Sequence, residues 1–234
     1  MSGNNEEVRI NKYIASSGLC SRREADRLIE EGKVTINGVT AEPGAKVMSS
    51  DTVSVMGKTV IPEESMLYIA LNKPLGITCT TDTRDPSNII DFLGFDERIF
   101  PIGRLDKNSS GLILLTNDGS VVNKLLRAEN GHEKEYKVTV DKPIDGGFVK
   151  AMEGGVPVLD QITLPCRVIP ESTRTFRIVL HQGLNRQIRR MCEYLGYRVI
   201  RLKRIRFMNI DLGKLEPGEW RKLDRREITE LLNN

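Results

Sequence analysis

Apolar positions Ile10, Tyr13 and Ile14 recur at helical spacing and stop at Gly18, which predicts a short amphipathic helix. Ser21-Arg-Arg-Glu24 has the form of a capping box, and Ala25, Leu28 and Ile29 carry one apolar face on to Gly32, so a second helix follows. The period then changes to two. Val34 and Ile36 alternate with polar residues, Asn37-Gly38 is a type I′ hairpin signal, and Val53, Val55 and Val60 flank a turn at Gly57. Two helices feeding short strands predict a small module over residues 8–61, behind a polar tail, 1–7, expected to be disordered. Pro62 and two glutamates mark 62–66 as a linker.

Residues 67–234 form a larger domain with a different pattern. Leu67 to Leu71 and Leu112 to Leu115 read as strands, Asn117-Asp-Gly119 as a turn, and Val121, Val122, Leu125 and Leu126 as a helix face. Tyr136, Val138 and Val140 alternate with Lys137 and Thr139, and Phe176 to Leu180 looks like a further strand. Strands outnumber helices without regular βαβ alternation, so the expected class is α+β, with a mixed, mainly antiparallel sheet and flanking helices. Over 185–195, Ile188, Met191, Cys192 and Leu195 share a core face. Arg186 and Arg190 point away from it, and Arg189 sits at its border, where an arginine either snorkels or reaches into a cleft.

Composition narrows the class. The chain has 234 residues, 39% of them hydrophobic, and with glycine added this is the globular range, which excludes fibres and disorder. Its longest apolar run, Met66 to Leu71, is far below the roughly 18 residues that span a bilayer, and the N-terminus lacks the order of a signal peptide. The expectation is a soluble cytoplasmic protein with no membrane partner. Four scattered cysteines and two histidines give no metal-ligand spacing, and no nucleotide-cradling loop is present, so neither metal nor cofactor is expected. Net charge is only +3, but residues 181–206 hold eight basic residues against the single acid Glu193. Such a run suits a polyphosphate, or else is a solvated face.

Arg22, Arg23 and Arg27 on the second helix and Lys12 on the first place several cations on a very small body, as ordinary surface charge or as an anion-binding side. The stretch "INKYIASSGLCSRREADRLIEEGKVTINGV" closely resembles the S4 RNA-binding domain, which implies that Arg22 and Arg23 face structured RNA, with Lys12 and Arg27 beside them. Asp106, in the glycine-bounded segment Gly103 to Gly111, reads by itself as an Asx-turn residue whose carboxylate caps the local backbone, the commoner fate of a loop aspartate. No second acid marks a glycosidase pair and no Gly-x-Ser-x-Gly is present.

The string "FPIGRLDKNSSGLILLTNDG" resembles the catalytic motif of the pseudouridine synthases, and "EKEYKVTVDKP" and "GLNRQIRRMCEYLGY" resemble that family's other two motifs. An S4 domain followed by this catalytic domain resembles the branch that modifies ribosomal RNA. Ser109 stands where related members tend to have Thr, a difference of subfamily. The resemblance implies isomerisation of uridine in 23S ribosomal RNA after base flipping. It makes Asp106 the catalytic carboxylate, as nucleophile or base, and Arg189 its partner through a two-pronged pair. It also implies that Tyr136 stacks on the uracil and Arg104 fills the gap left by the flipped base, while Arg186 and Arg190 of the basic run are candidate RNA contacts. Large-subunit ribosomal RNA is the expected partner, structured tRNA a second candidate, and a monomer the expected state. The alternative is a noncatalytic S4-domain ribosome assembly factor, against which the intact trio Asp106, Tyr136 and Arg189 argues.

Overall fold

The computed structural model describes residues 7–233 apart from 49, 63–65, 96 and 127–130. The expected tail and linker therefore lie largely outside the described residues. The chain divides into two compact units, one running to Met66 with a short excursion at Arg98, the other holding the remainder. Among the described residues no helix is long and apolar enough to cross a membrane.

The first unit contains β1 (Val8–Arg9), α1 (Ile10–Ser16), α2 (Arg22–Glu30), β2 (Val34–Ile36), β3 (Val39–Thr40), β4 (Lys46–Val47), β5 (Val53–Val55) and β6 (Lys58–Val60). Ser21 Oγ accepts from the Glu24 N–H at 3.1 Å and so caps α2, as its sequence requires. The other half of the capping box is spent differently, because the Glu24 carboxylate turns to Arg27. Strands β3-β2-β5-β6 form an antiparallel sheet. Its two tight hairpins place Asn37 and Gly38, and Met56 and Gly57, at positive φ, the geometry that matches strand twist. Ile10, Ile14, Ala25, Leu28, Ile29, Val34 and Val53 are buried together beneath the helices.

The second unit opens with β7 (Tyr68–Lys73), α3 (Ile89–Leu93), β8 (Phe100–Ile102), β9 (Ser110–Thr116), α4 (Gly119–Leu126), β10 (Lys134–Val140) and α5 (Gly146–Gly154). It continues through β11 (Pro157–Val158), β12 (Gln161–Ile162), β13 (Arg167–Ser172), β14 (Thr175–Leu180) and α6 (Gln187–Tyr194). It ends with β15 (Val199–Phe207), β16 (Ile210–Asp211), β17 (Trp220–Lys222) and α7 (Arg225–Asn233). Its main sheet runs β13-β14-β10-β15-β9-β7-β17, with β8 beside β9 and β16 beside β15. Every pairing is antiparallel except β9 with β15, so the sheet is mixed and mainly antiparallel.

The two halves of this sheet are buried differently. All of β7 and nearly all of β9 are buried, covered by separate apolar clusters. Strands β10 and β14 instead alternate, laying Val138, Val140, Phe176 and Ile178 against α5 and α6. Helix α6 begins at Gln187, later than the pattern over 185–195 predicts, because Arg186 adopts the left-handed conformation with φ 52° and ψ 33°. Strand β7 runs past the expected Leu71 to Lys73, whose side chain is fully buried.

The parallel pair β9 and β15 meets where Gly111 faces Arg204. A Cβ on Gly111 would lie 2.2 Å from the Arg204 carbonyl oxygen, and its φ of +102° is itself unfavourable for any other residue. Gly111→Ala is expected to lower stability by at least about 3 kcal/mol, combining backbone strain with a clash that no rotamer relieves. Gly76→Ala, at φ +87° but in open space, is expected to cost only about 1–2 kcal/mol. Urea denaturation of both variants checks this, and equal midpoints would contradict it.

Candidate active site

The loop from β8 to β9 borders a cavity of about 540 Å³, within the roughly 300–1,000 Å³ of small-molecule sites. Ile102, Leu180, Leu202 and Phe207 supply apolar wall, and Arg104, Asp106, Lys134, Tyr136, Arg186 and Arg204 supply polar or aromatic groups. Asp106 keeps 35% of its side chain exposed, and both Arg186 Nη1, at 3.9 Å, and Arg189 Nε, at 4.0 Å, approach its Oδ2. Two cations from one short segment thus face one carboxylate oxygen.

The expected two-pronged pair between Arg189 and Asp106 is not what forms. Arg189 Nη2 donates instead to the Asn108 carbonyl at 2.7 Å and to Ser109 Oγ at 3.3 Å, leaving only Nε toward the carboxylate. The fork cannot serve both ends of the loop, and the backbone carbonyl gains its planar edge. Arg189 is only 14% exposed, and burial together with Arg186 holds its pKa below the ordinary arginine value while Asp106 opposes. It is therefore the clasp between α6 and the Asp106 loop, neither snorkelling nor simply an ion-pair partner.

The loop is pinned from its other side by residues 74–87. The Leu105 N–H donates to Cys79 Sγ at 3.3 Å, the Gly76 N–H to the Lys107 carbonyl at 2.9 Å, and Lys107 Nζ to Ser87 Oγ at 2.8 Å. Within the loop, the Ser109 N–H donates to the Asp106 carbonyl at 2.9 Å. Buried Lys73 donates to the carbonyls of Pro74 and Ile77, each at 2.8 Å, and so folds the supporting turn. Its burial lowers the ammonium pKa, while Cys79 and Asp106 oppose that shift.

Tyr136 is half-buried on β10, packs against two of the core clusters and lines the cavity. Arg104 is exposed at the cavity's edge. Arg204, almost wholly buried, donates from Nε to the Leu112 carbonyl at 2.6 Å, and Lys134 donates to the His132 carbonyl at 3.0 Å. Burial, aided by Arg204, pushes the Lys134 pKa down. Gln187 accepts from the Leu184 N–H and donates to Gln182 Oε1, fixing the turn that presents Arg186. Arg190 bonds the carbonyl and the side chain of Asn185, so it braces the same turn. In the first unit Arg22 donates to Asn11, Arg27 pairs with Glu24 and Glu31, and Lys12 and Arg23 stand exposed.

Sequence reading missed Lys73, Cys79, Lys134 and Gln187, and met Arg204 only as one cation of the basic run. Only Lys73 carried a signal, as a lysine directly following an apolar strand and preceding Pro74. Cys79 and Arg204 take their roles from partners far along the chain, Leu105 and Leu112, while Lys134 and Gln187 are single polar residues that bond within a few positions, to His132 and to Leu184 and Gln182.

An S4-like module and a mixed-sheet domain with an arginine-flanked aspartate at a cavity of about 540 Å³ fit the class of RNA-modifying enzymes. The chain belongs to the RNA pseudouridylate synthase family, whose model matches residues 67–194, and an S4 domain model matches residues 8–53. It is 56% identical over 226 residues to the dual-specificity RNA pseudouridine synthase RluF of Salmonella typhi, covering 96% of this chain and 78% of that one. Against the ribosomal large subunit pseudouridine synthase B of Bacillus subtilis (strain 168) it is 38% identical over 232 residues, 95% of each chain. A crystal structure of a pseudouridylate synthase superposes with a TM-score of 0.70 at 28% identity, over 96% of this chain and 99% of that one. The protein is a pseudouridine synthase with an S4 RNA-binding domain.

The contact from Leu105 to Cys79 sits one residue before Asp106, and burial keeps that thiol protonated by raising its pKa. Cys79→Ala is expected to lower stability by about 1–3 kcal/mol, the penalty for an orphaned buried N–H, and Cys79→Ser to recover part of it. Denaturant midpoints measure both, and an alanine variant as stable as the wild type would remove this contact from the loop's support.

Proposed function

We propose that the protein isomerises particular uridines of large-subunit ribosomal RNA to pseudouridine, with Asp106 as the carboxylate that acts on a flipped nucleoside. The observation that carries this reading is Asp106 set between Arg186 and Arg189 on the wall of a cavity that Tyr136 also lines. The reaction breaks the bond from N1 to the sugar, turns the uracil, joins C5 to the sugar, releases the C5 proton and leaves a proton on N1, with no net change in composition. Both ring edges must be reached, which stacking forbids, so the nucleotide leaves the stack for the cavity.

In this scheme Tyr136 holds the uracil face, Arg104 occupies the gap left in the RNA, and Arg186 meets phosphate. Whether Asp106 attacks the sugar or removes a proton from it, the carboxylate must be aimed and charged. The flanking arginines and the pinned loop do this before substrate arrives. Arg22 and Arg23, with Lys12 beside them, hold structured RNA through phosphates. The same chemistry suits a structured tRNA as a second substrate, in keeping with the dual specificity in the name of the RluF relative. A monomer in the cytoplasm completes the reading.

Tritium release from RNA labelled at uridine C5 tests the activity, and pseudouridine mapping in ribosomal RNA from cells lacking the protein tests the substrate. Asp106→Asn is expected to abolish release while RNA affinity stays within about threefold, roughly 0.65 kcal/mol. Activity within tenfold of wild type would refute the assignment.

Arg189→Lys separates a clasp from a mere charge. One ammonium cannot hold the Asn108 carbonyl and Ser109 while also facing Asp106, as the guanidinium does. A loss of at least about a hundredfold in rate is expected, equivalent to roughly 2.7 kcal/mol, with folding and RNA affinity nearly unchanged. Single-turnover kinetics measure it, and a near-normal rate would leave Asp106 without its proposed support.

A further inference from the structure

The basic run of residues 181–206 is only partly used by the cavity. On β10 and β15, Val138 and its register partner Leu202 both lie in the core cluster beneath the sheet, and Tyr136 and its partner Arg204 line the cavity. Lys137 and its partner Lys203 alternate with these residues and so stand on the opposite, open face. Arg177 of β14 is the other register partner of Lys137, which sets three cations in a row across three adjacent strands. Arg201 lies two residues from Lys203 on the same face, and Arg167 is exposed on β13.

Like charges directly opposite one another destabilise a sheet. Two carboxylates offset this row in part, and a third pairs beside it. Glu171 pairs with both Lys137 and Arg177, Glu135 with Arg177 and Arg206, and Glu133 with Arg206. Each acid is thus already engaged, and Glu133 also feels Arg167, whereas Arg201 and Lys203 have no ion pair among the described residues. The face keeps an uncompensated positive field held on a rigid sheet.

We propose that this open face is a second docking surface for the phosphate backbone of a folded RNA, an arm flanking the loop whose uridine enters the cavity. The proposal rests on the reading of the protein as an enzyme of large structured RNA. Charge complementarity selects a polyanion, and the position of the face selects a separate segment of it. A stem-loop seated in the cavity lies on the other side of the sheet, so only a larger RNA reaches both.

The test compares two RNAs with Arg201→Gln/Lys203→Gln in the full chain, the shortest stem-loop that wild type modifies and a longer ribosomal fragment containing it. The double variant is expected to bind the long RNA at least about fivefold more weakly at low salt. Its dependence of log affinity on log salt should flatten by up to about 0.7–0.9 for each of the two lost contacts. Binding and turnover of the minimal stem-loop should stay at wild-type level. Lys203→Glu gives a second readout, because a carboxylate opposite Lys137 should hold or raise the melting temperature while weakening the long RNA further. Unchanged affinity and slope on the long RNA, or equal losses on both RNAs, would overturn the proposal. Absence of tritium release by wild type on either RNA would instead refute the reading of the activity, while the binding comparison still decides the surface.

Discussion

Where Gly111 faces Arg204, two strands distant in sequence run parallel with their backbones too close for any side chain between them. The candidate active site depends on that approach. It sets the start of β9, and hence the loop just before it, against the strand that follows α6. From there Arg189 reaches the Asn108 carbonyl, and its Nε faces Asp106. A methyl group at the crossing would push the strands apart and move the carboxylate away from its cations. A displacement of one ångström is enough to erode catalysis severely.

Around this crossing the protein keeps an unusual amount of positive charge out of water. Lys73 and Arg204 are buried, Lys134 is partly so, and burial depresses the lysine pKa values. Each of these cations donates to backbone carbonyls, and these bonds offset the desolvation. They do two things together. Lys73 and Lys134 hold loop carbonyls that no regular secondary structure satisfies, and Lys134 and Arg204 line the cavity with fixed positive charge, which favours the anionic chain a polynucleotide presents.

The basic segment 181–206 shows how one charge run divides its labour. Arg186 and Arg189 face Asp106, Arg190 braces the turn before α6, Arg204 is buried under the cavity and Arg206 closes a carboxylate pair. Arg198 pairs with Asp141, and Arg201 and Lys203 remain for the open face. Counting charges along the chain merges these jobs. Strand alternation and the left-handed turn at Arg186 separate them.

Local patterns in the sequence determined the local structure. Helical spacing marks α1 and α2, Ser21 caps α2, Asn37-Gly38 makes its hairpin, and alternation along β10 tells its two faces apart, because each of these depends on neighbours within a few residues. The α+β class and the mixed sheet were legible for the same reason, and the motif around Asp106 identified the family. Only the tertiary structure decided what these residues touch. It gave the Arg189 fork to a backbone carbonyl, put Lys73 and Cys79 under the loop, turned Glu24 from its own backbone to Arg27, and left Arg186 outside the helix. A guanidinium or carboxylate has several partners of similar strength within reach, and the choice among them follows from burial and from chain segments far apart in sequence, which no local period encodes.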